Sequence, residues 1–115
     1  MIRGEVYWAD LAPRSGSEQR GRRPVVVVSH DAFNAVPTWQ TVVIVPLTTS
    51  QAQARRGPTA VPLPSGTAGL ARESVAVCHQ VTTLDRSKLR ERLGALPAYA
   101  MAAVELGLRA ALDLE

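Results

Sequence analysis

Gly16-Ser-Glu-Gln-Arg-Gly-Arg-Arg-Pro-Val-Val-Val-Val-Ser29 joins a polar, arginine-rich loop to four consecutive valines. Branching at Cβ suits a packed, pleated surface, so Val25–Val28 reads as a strand inside a core. Pro24 opens the run, where a missing amide hydrogen does least harm to a sheet. Arg23 sits where loop becomes strand, so the strand's stiffness passes to its guanidinium. A fixed fork of donors beside a basic loop suits a phosphate.

Outward from that run, the chain reads as more short strands. Residues 5–11 form a first strand with Val6, Trp8 and Leu11 facing inward, and Pro13 stops it. Residues 12–23 are a long connection, well beyond the ~2–5 residues of a hairpin loop, and long ordered loops tend to carry function. Asp31-Ala-Phe-Asn34 is a turn or one helical turn, with Asp31 as its cap. Residues 41–47 are a nearly unbroken apolar run, as in a central strand, and Pro46 ends its ladder. Residues 51–57 read as a polar connection. Ala60–Leu63 and Ser74–Val81 are further strands, with a turn at 65–69 between them. Asp85 caps a short turn over residues 86–89, and residues 93–96 form a last strand. Pro97 opens a terminal helix whose Met101, Val104, Leu108 and Leu112 recur at helical spacing. The expected fold is mainly β with a C-terminal helix: a small, partly closed antiparallel barrel over a single domain, 1–115.

Composition narrows the function classes. The 115 residues are 46% apolar and 4% aromatic, so a core of valine, leucine and alanine is expected. No apolar run approaches the ~20 residues of a membrane span. Residues 1–5 carry charges where a signal peptide needs an apolar stretch, which points to the cytoplasm. Net charge is +3, with seven basic and four acidic residues in 1–57 against six of each in 58–115. Twelve of the thirteen basic residues are arginine, which fits either phosphate recognition or a bias of genome composition.

The chemistry-bearing residues exclude several mechanisms. His30, His79 and Cys78 lack metal-ligand spacing, and no carboxylate cluster accompanies them, so no metal or cofactor is expected. Cys78 falls in a strand, where packing is the simpler role. Nothing in the spacing brings His30 and His79 together as an acid–base pair. Two features remain: the Glu18/Arg20/Arg22/Arg23 loop, and Thr48-Thr49-Ser50 at the end of the third strand. If the second and third strands pair antiparallel, Arg23 and Thr48 meet at one end of the sheet. Two readings stand open: a phosphate site, or Arg23 paired with Asp31 or Glu18 while the threonines cap a turn.

Six blocks carry a resemblance: Arg-Gly-Glu-Val-Tyr-Trp-Ala-Asp-Leu (3–11), Gly-Ser-Glu-Gln (16–19), Arg-Arg-Pro-Val-Val-Val-Val-Ser (22–29), Val-Pro-Leu-Thr-Thr (45–49), Gly-Leu-Ala-Arg-Glu-Ser-Val-Ala (69–76) and Gln-Val-Thr-Thr-Leu-Asp (80–85). In this order they resemble the MazF/PemK family of toxin endoribonucleases, over nearly the whole chain. Each block is weak alone; the ordered set is specific. The resemblance implies an SH3-like barrel, a homodimer, metal-independent cleavage of single-stranded RNA, and an acidic MazE-type antitoxin that blocks the site. It places the family's central arginine on Arg23, its threonine on Thr48, its loop glutamate on Glu18 and its late glutamine on Gln80. Glu73 departs from a frequent aspartate.

The expected chemistry is attack of the substrate's 2′-hydroxyl on the adjacent phosphorus, giving a 2′,3′-cyclic phosphate and a 5′-hydroxyl. Arg23 and Thr48 would hold the phosphate, and Glu18 is a candidate base, with a water-mediated route equally open. Gln19, Arg20, Arg22, Thr49, Ser50, Arg55, Arg56 and Gln80 are candidate RNA contacts. Trp39 is either a stacking platform or a cover for the core edge or dimer contact. Two rivals are a gyrase-poisoning toxin of the CcdB type and a silent SH3-like binding module. The first relies on a C-terminal Trp-Gly-Ile, whereas residues 112–115 read Leu-Asp-Leu-Glu.

Overall fold

A computed structural model describes residues 1–11, 16, 21–55 and 57–115. Among these residues seven strands and three α-helices follow one another: β1 (Glu5–Asp10), β2 (Arg22–Val27), α1 (Asp31–Asn34), β3 (Thr41–Thr48), α2 (Gln51–Ala54), β4 (Ala60–Leu63), β5 (Ser74–Val77), β6 (Thr82–Asp85), β7 (Leu89–Ala95) and α3 (Ala98–Leu112). The sheet runs β4-β5-β3-β2-β1-β7, with β6 also on β3. Every pairing is antiparallel. β3 is the hub, because its first half pairs β6, its middle pairs β2 and its last residues pair β5. The chain is thus a mainly antiparallel, open barrel-like sheet with a C-terminal helix.

The valine run explains this layout. Successive strand residues point to opposite faces. Val26 enters one core with Val45, Leu47, Ala76 and Val104, while Val25 and Val27 enter another with Leu11, Val42, Ile44 and Leu84. Both faces of β2 are therefore buried, which is why the run does not alternate with polar residues. Fully burying each valine stabilises the fold by roughly 1.5–3 kcal/mol.

The open side of the barrel is drawn in by close backbone approach. A Cβ on Gly69 would lie 2.2 Å from the Leu93 carbonyl oxygen, and one on Gly94 would lie 2.7 Å from Ala68. Gly69 also has φ +77°, a conformation that disfavours side chains. The turn before β5 can therefore lie directly on β7.

Several elements differ from the sequence reading. β2 begins at Arg22, and Pro24 pairs with Trp8 inside it. Pro46 does not end the third ladder; it pairs with Val25, and the strand runs on to Thr48. Proline still supplies a carbonyl, so one missing donor is tolerated. Residues 51–54 coil into α2. Ser74–Val81 is broken by a 3₁₀ turn at Cys78–Gln80, after which β6 crosses to the other half of β3. The last strand starts at Leu89. The cap of α1 is His30, whose Nδ1 accepts from the Ala32 amide at 2.9 Å. Asp31 instead accepts from the Arg3 amide at 2.7 Å, which holds its carboxyl below the usual range. Asp85 caps as expected, accepting from Ser87 N at 2.9 Å. In α3, Val104 is fully buried and Met101 and Leu108 pack on the core, but Leu112 is 52% exposed. Cys78 is buried, its thiol donates to the Val104 carbonyl at 3.6 Å, and burial pushes its pKa up to about 11.

Candidate active site

The register of β2 on β3 builds the site. Val25 pairs with Pro46 and Val26 with Val45, so continuing the ladder sets Arg23 opposite Thr48. The two line one cleft of about 450 Å³ at the end of the sheet. Trp8 comes from β1, Leu93 from β7, and Leu70, Arg72 and Ser74 from the segment entering β5. Closure of the barrel thus delivers the far wall.

Thr48 is 4% exposed, and its Oγ1 accepts from the Ser50 amide at 3.2 Å. That bond uses one lone pair and leaves the hydroxyl hydrogen to donate. Arg23 is half-buried beside Pro24. Arg22 lies 5.5 Å from the centre of the Trp8 ring and reaches Glu91 at 3.4 Å. Arg72 brings a third guanidinium, and no carboxylate is among the described residues that line the cleft. The apolar lining from Trp8, Leu47, Leu70 and Leu93 lowers the local dielectric, so each charge acts more strongly than in water. Convergent cations, one oriented hydroxyl and apolar walls suit an anionic ligand. The same parts suit a reaction that concentrates negative charge on a phosphate.

The other sequence-predicted residues fall into separate groups. Thr49 lines the cleft, and Ser50 stands beside it as the residue before α2. Arg55 follows α2 and is exposed. Gln80 lines a second, smaller cavity with Gln53 and His79. Trp39 stacks on Phe33 at 5.2 Å, is 48% exposed, and does not line the cleft. Arg86 braces that aromatic pair by donating to the Trp39 and Phe33 carbonyls. Glu18, Gln19, Arg20 and Arg56 lie outside the described residues. Trp8, Arg72 and Ser74 are cleft residues that the sequence reading did not single out. Trp8 pairs with Pro24, next to Arg23, a register that only the folded sheet reveals. Among the described residues no three His, Cys, Asp or Glu side chains group as a metal ion would require.

Comparison with known proteins extends this geometry. Residues 2–112 match the model of the PemK-like, MazF-like toxins of type II toxin–antitoxin systems. Endoribonuclease MazF6 of Mycobacterium tuberculosis is 43% identical over 114 residues, covering 99% of this chain and 98% of the relative. Endoribonuclease EndoA of Bacillus subtilis is 37% identical over 112 residues, covering 97% and 94%. Among solved structures, MazF from Deinococcus radiodurans superposes with a TM-score of 0.81 at 31% identity, covering 99% of this chain and 97% of that one. A mycobacterial endoribonuclease in complex with its cognate antitoxin also gives 0.81, at 28% identity and 100% and 97% coverage.

Proposed function

This chain belongs to the MazF/PemK family of type II toxin–antitoxin toxins, and from that premise we propose that its cleft cuts single-stranded RNA by transesterification. The observation that carries the reading is that Arg23 and Thr48 line one cationic cleft without a carboxylate among its described lining. The substrate's 2′-oxygen bonds to phosphorus as the bond from phosphorus to the 5′-oxygen breaks. The products are a 2′,3′-cyclic phosphate and a 5′-hydroxyl. The proton leaving the 2′-hydroxyl passes to a base, for which Glu18 or a water is the candidate. A proton is delivered to the departing 5′-oxygen. Arg23 neutralises the non-bridging oxygens, and Thr48 donates to the same phosphate or orients the 2′-hydroxyl. No metal takes part in this scheme.

The biological reading follows from the family. The protein is a growth-inhibiting toxin of the bacterial cytoplasm that cuts messenger RNA, works as a homodimer and is neutralised by an acidic MazE-type antitoxin. Support for the antitoxin comes from the mycobacterial complex and from the MazE–MazF complex of Deinococcus radiodurans. No helix among the described residues is long and apolar enough to cross a membrane.

The test is incubation of purified protein with a long unstructured RNA in excess EDTA, beside Arg23→Ala. Cuts at a recurring short sequence with 5′-hydroxyl ends, absent from Arg23→Ala, are expected. Intact RNA from a folded wild-type protein would overturn the catalytic assignment in favour of a binding toxin or a silent module.

A further inference from the structure

We infer that Ser74 and the strained turn at Ala68 are positioning residues that aim Arg72 at the RNA backbone. This rests on the ribonuclease reading above and goes beyond it, because it assigns how the far wall of the cleft is prepared for the strand. That wall is a strap, residues 66–74, which leads into β5 and lies against β7. Its Gly69, Leu70, Arg72 and Ser74 line the cleft.

Three observations point to a built support. First, the Arg72 guanidinium has no hydrogen bond or ion pair among the described residues. Arg3, Arg90 and Arg92, by contrast, pair with Glu105, Asp10 and Glu5. An open fork of donors in a cleft without a described carboxylate is ready for an anion. Second, Ala68 has φ 51° and ψ 34°, the left-handed region that a residue with a Cβ enters at a cost. Such strain persists only where the surroundings over-determine it, and it gathers where a site needs pre-organisation. Here Gly66 N donates to the Leu70 carbonyl at 2.7 Å and closes the turn, while the Leu70 side chain is buried. Gly94 of β7 makes room for the turn, since an added Cβ would lie 2.7 Å from the Ala68 carbonyl. Third, the strap is tied at its other end. Ser74 is 6% exposed and pairs with Leu63, and its hydroxyl donates to the Arg72 carbonyl at 3.0 Å.

Arg72 therefore leaves from a backbone held on both sides. Only its side chain has to be ordered when a phosphate arrives, so less freedom is lost and more of the contact remains as affinity. Releasing either end of the strap should forfeit part of what the guanidinium contributes, and nothing else.

The test has two arms. In the first, the affinity for a short mixed-sequence 2′-O-methyl RNA, which lacks the attacking hydroxyl, is measured at low salt. Arg72→Gln should bind roughly tenfold more weakly than wild type. Ser74→Ala and Gly94→Ala should each lose several-fold. Adding Arg72→Gln to either should bring binding to the level of Arg72→Gln alone, because all three changes remove one contact. Wild-type affinity in Ser74→Ala and Gly94→Ala, or losses that multiply with that of Arg72→Gln, would overturn the positioning role while leaving the ribonuclease intact. The second arm follows the Arg72 Nε–H signal by NMR as the same RNA is added. RNA should move it in wild type and move it less in Ser74→Ala. A signal that RNA leaves in place in wild type would overturn the proposal whether or not any variant folds. Coupled losses and a moving signal from a protein that cuts no unmodified RNA would keep the strap's role and sink the ribonuclease reading.

Discussion

In the proposed reaction Thr48 supplies a hydroxyl that the fold holds in place. Its oxygen is tied to the Ser50 amide and its side chain is 4% exposed, so it has little freedom to turn away from the cleft. Thr48→Val keeps the branched shape and removes the donor. We expect kcat to fall by about 10²-fold, the cost of one lost donor to developing charge. KM should change far less, because the bond matters most when charge builds on the phosphate. Valine also leaves the Ser50 amide without its partner, so a thermal melt must accompany the kinetics. An equal loss in kcat with unchanged charge-dependent behaviour but a collapsed melting temperature would assign Thr48 a purely structural part. Arg23→Lys is the companion variant. It keeps the charge but loses the planar fork, so it should recover little of the activity that Arg23→Ala loses.

At the level of elements, sequence pattern was informative where burial was two-sided or helical. The valines of β2 and the apolar run of β3 announced central strands, and their antiparallel pairing leaves Arg23 and Thr48 lining one cleft. Pattern failed where tertiary contact decides. Ser74–Val81 alternates well enough for one strand, yet the chain turns at Cys78–Gln80 because β3 already has β5 along its last residues and needs β6 along its first. Trp8 reaches the cleft from β1, and Arg72 and Ser74 reach it from the segment entering β5, more than 60 residues later, so no local spacing could group them. Gly107 in α3 is another case: glycine inside a helix reads as a weak point. Its buried position explains it, since an added Cβ would lie 2.7 Å from Cys78 Sγ and 2.9 Å from a Val61 methyl. Alanine would ordinarily favour the helix by about 1 kcal/mol. Here overpacking should win, and Gly107→Ala should destabilise by roughly 1–3 kcal/mol in urea unfolding. Adding Cys78→Ala removes the nearer obstacle, so the double variant should be more stable than the sum of the single changes. Strict additivity would mean that the helix shifts away and the thiol is not the constraint.

Two charge effects act on the whole molecule, one on its stability and one on its partner. Glu5 holds β1 to β7: it accepts from Ile2 N at 2.6 Å, from the Tyr7 hydroxyl at 3.0 Å and from Arg92. Burial alone would raise its pKa, but the Arg92 hydrogen bond, aided by Ile2 and Tyr7, outweighs burial and holds the carboxyl below its ordinary value. A carboxylate depressed in the folded state stabilises above its unfolded pKa, about 4.3, and that contribution fades as pH falls through the folded value. Glu5→Gln should therefore lower stability at pH 7 and flatten its decline below about pH 4.5; an unchanged acid limb would show that Glu5 titrates alike in both states. The second effect concerns RNA. Arg22, Arg23 and Arg72 converge on the cleft, and three phosphate contacts to a single strand predict a log–log salt slope of about −2. Arg72→Gln should make that slope shallower by about 0.7 and weaken binding alike across sequences. Arg22 enters the balance differently, because Glu91 already faces it at 3.4 Å with both side chains exposed. An exposed pair is worth only about 0–1 kcal/mol, so an RNA phosphate can displace the carboxylate. Glu91→Gln removes that competitor and should tighten RNA binding, most visibly at low salt, where screening is weakest. If Glu91→Gln left affinity unchanged while Arg22→Gln reduced it, Arg22 would meet RNA through its place over Trp8 and not through its charge.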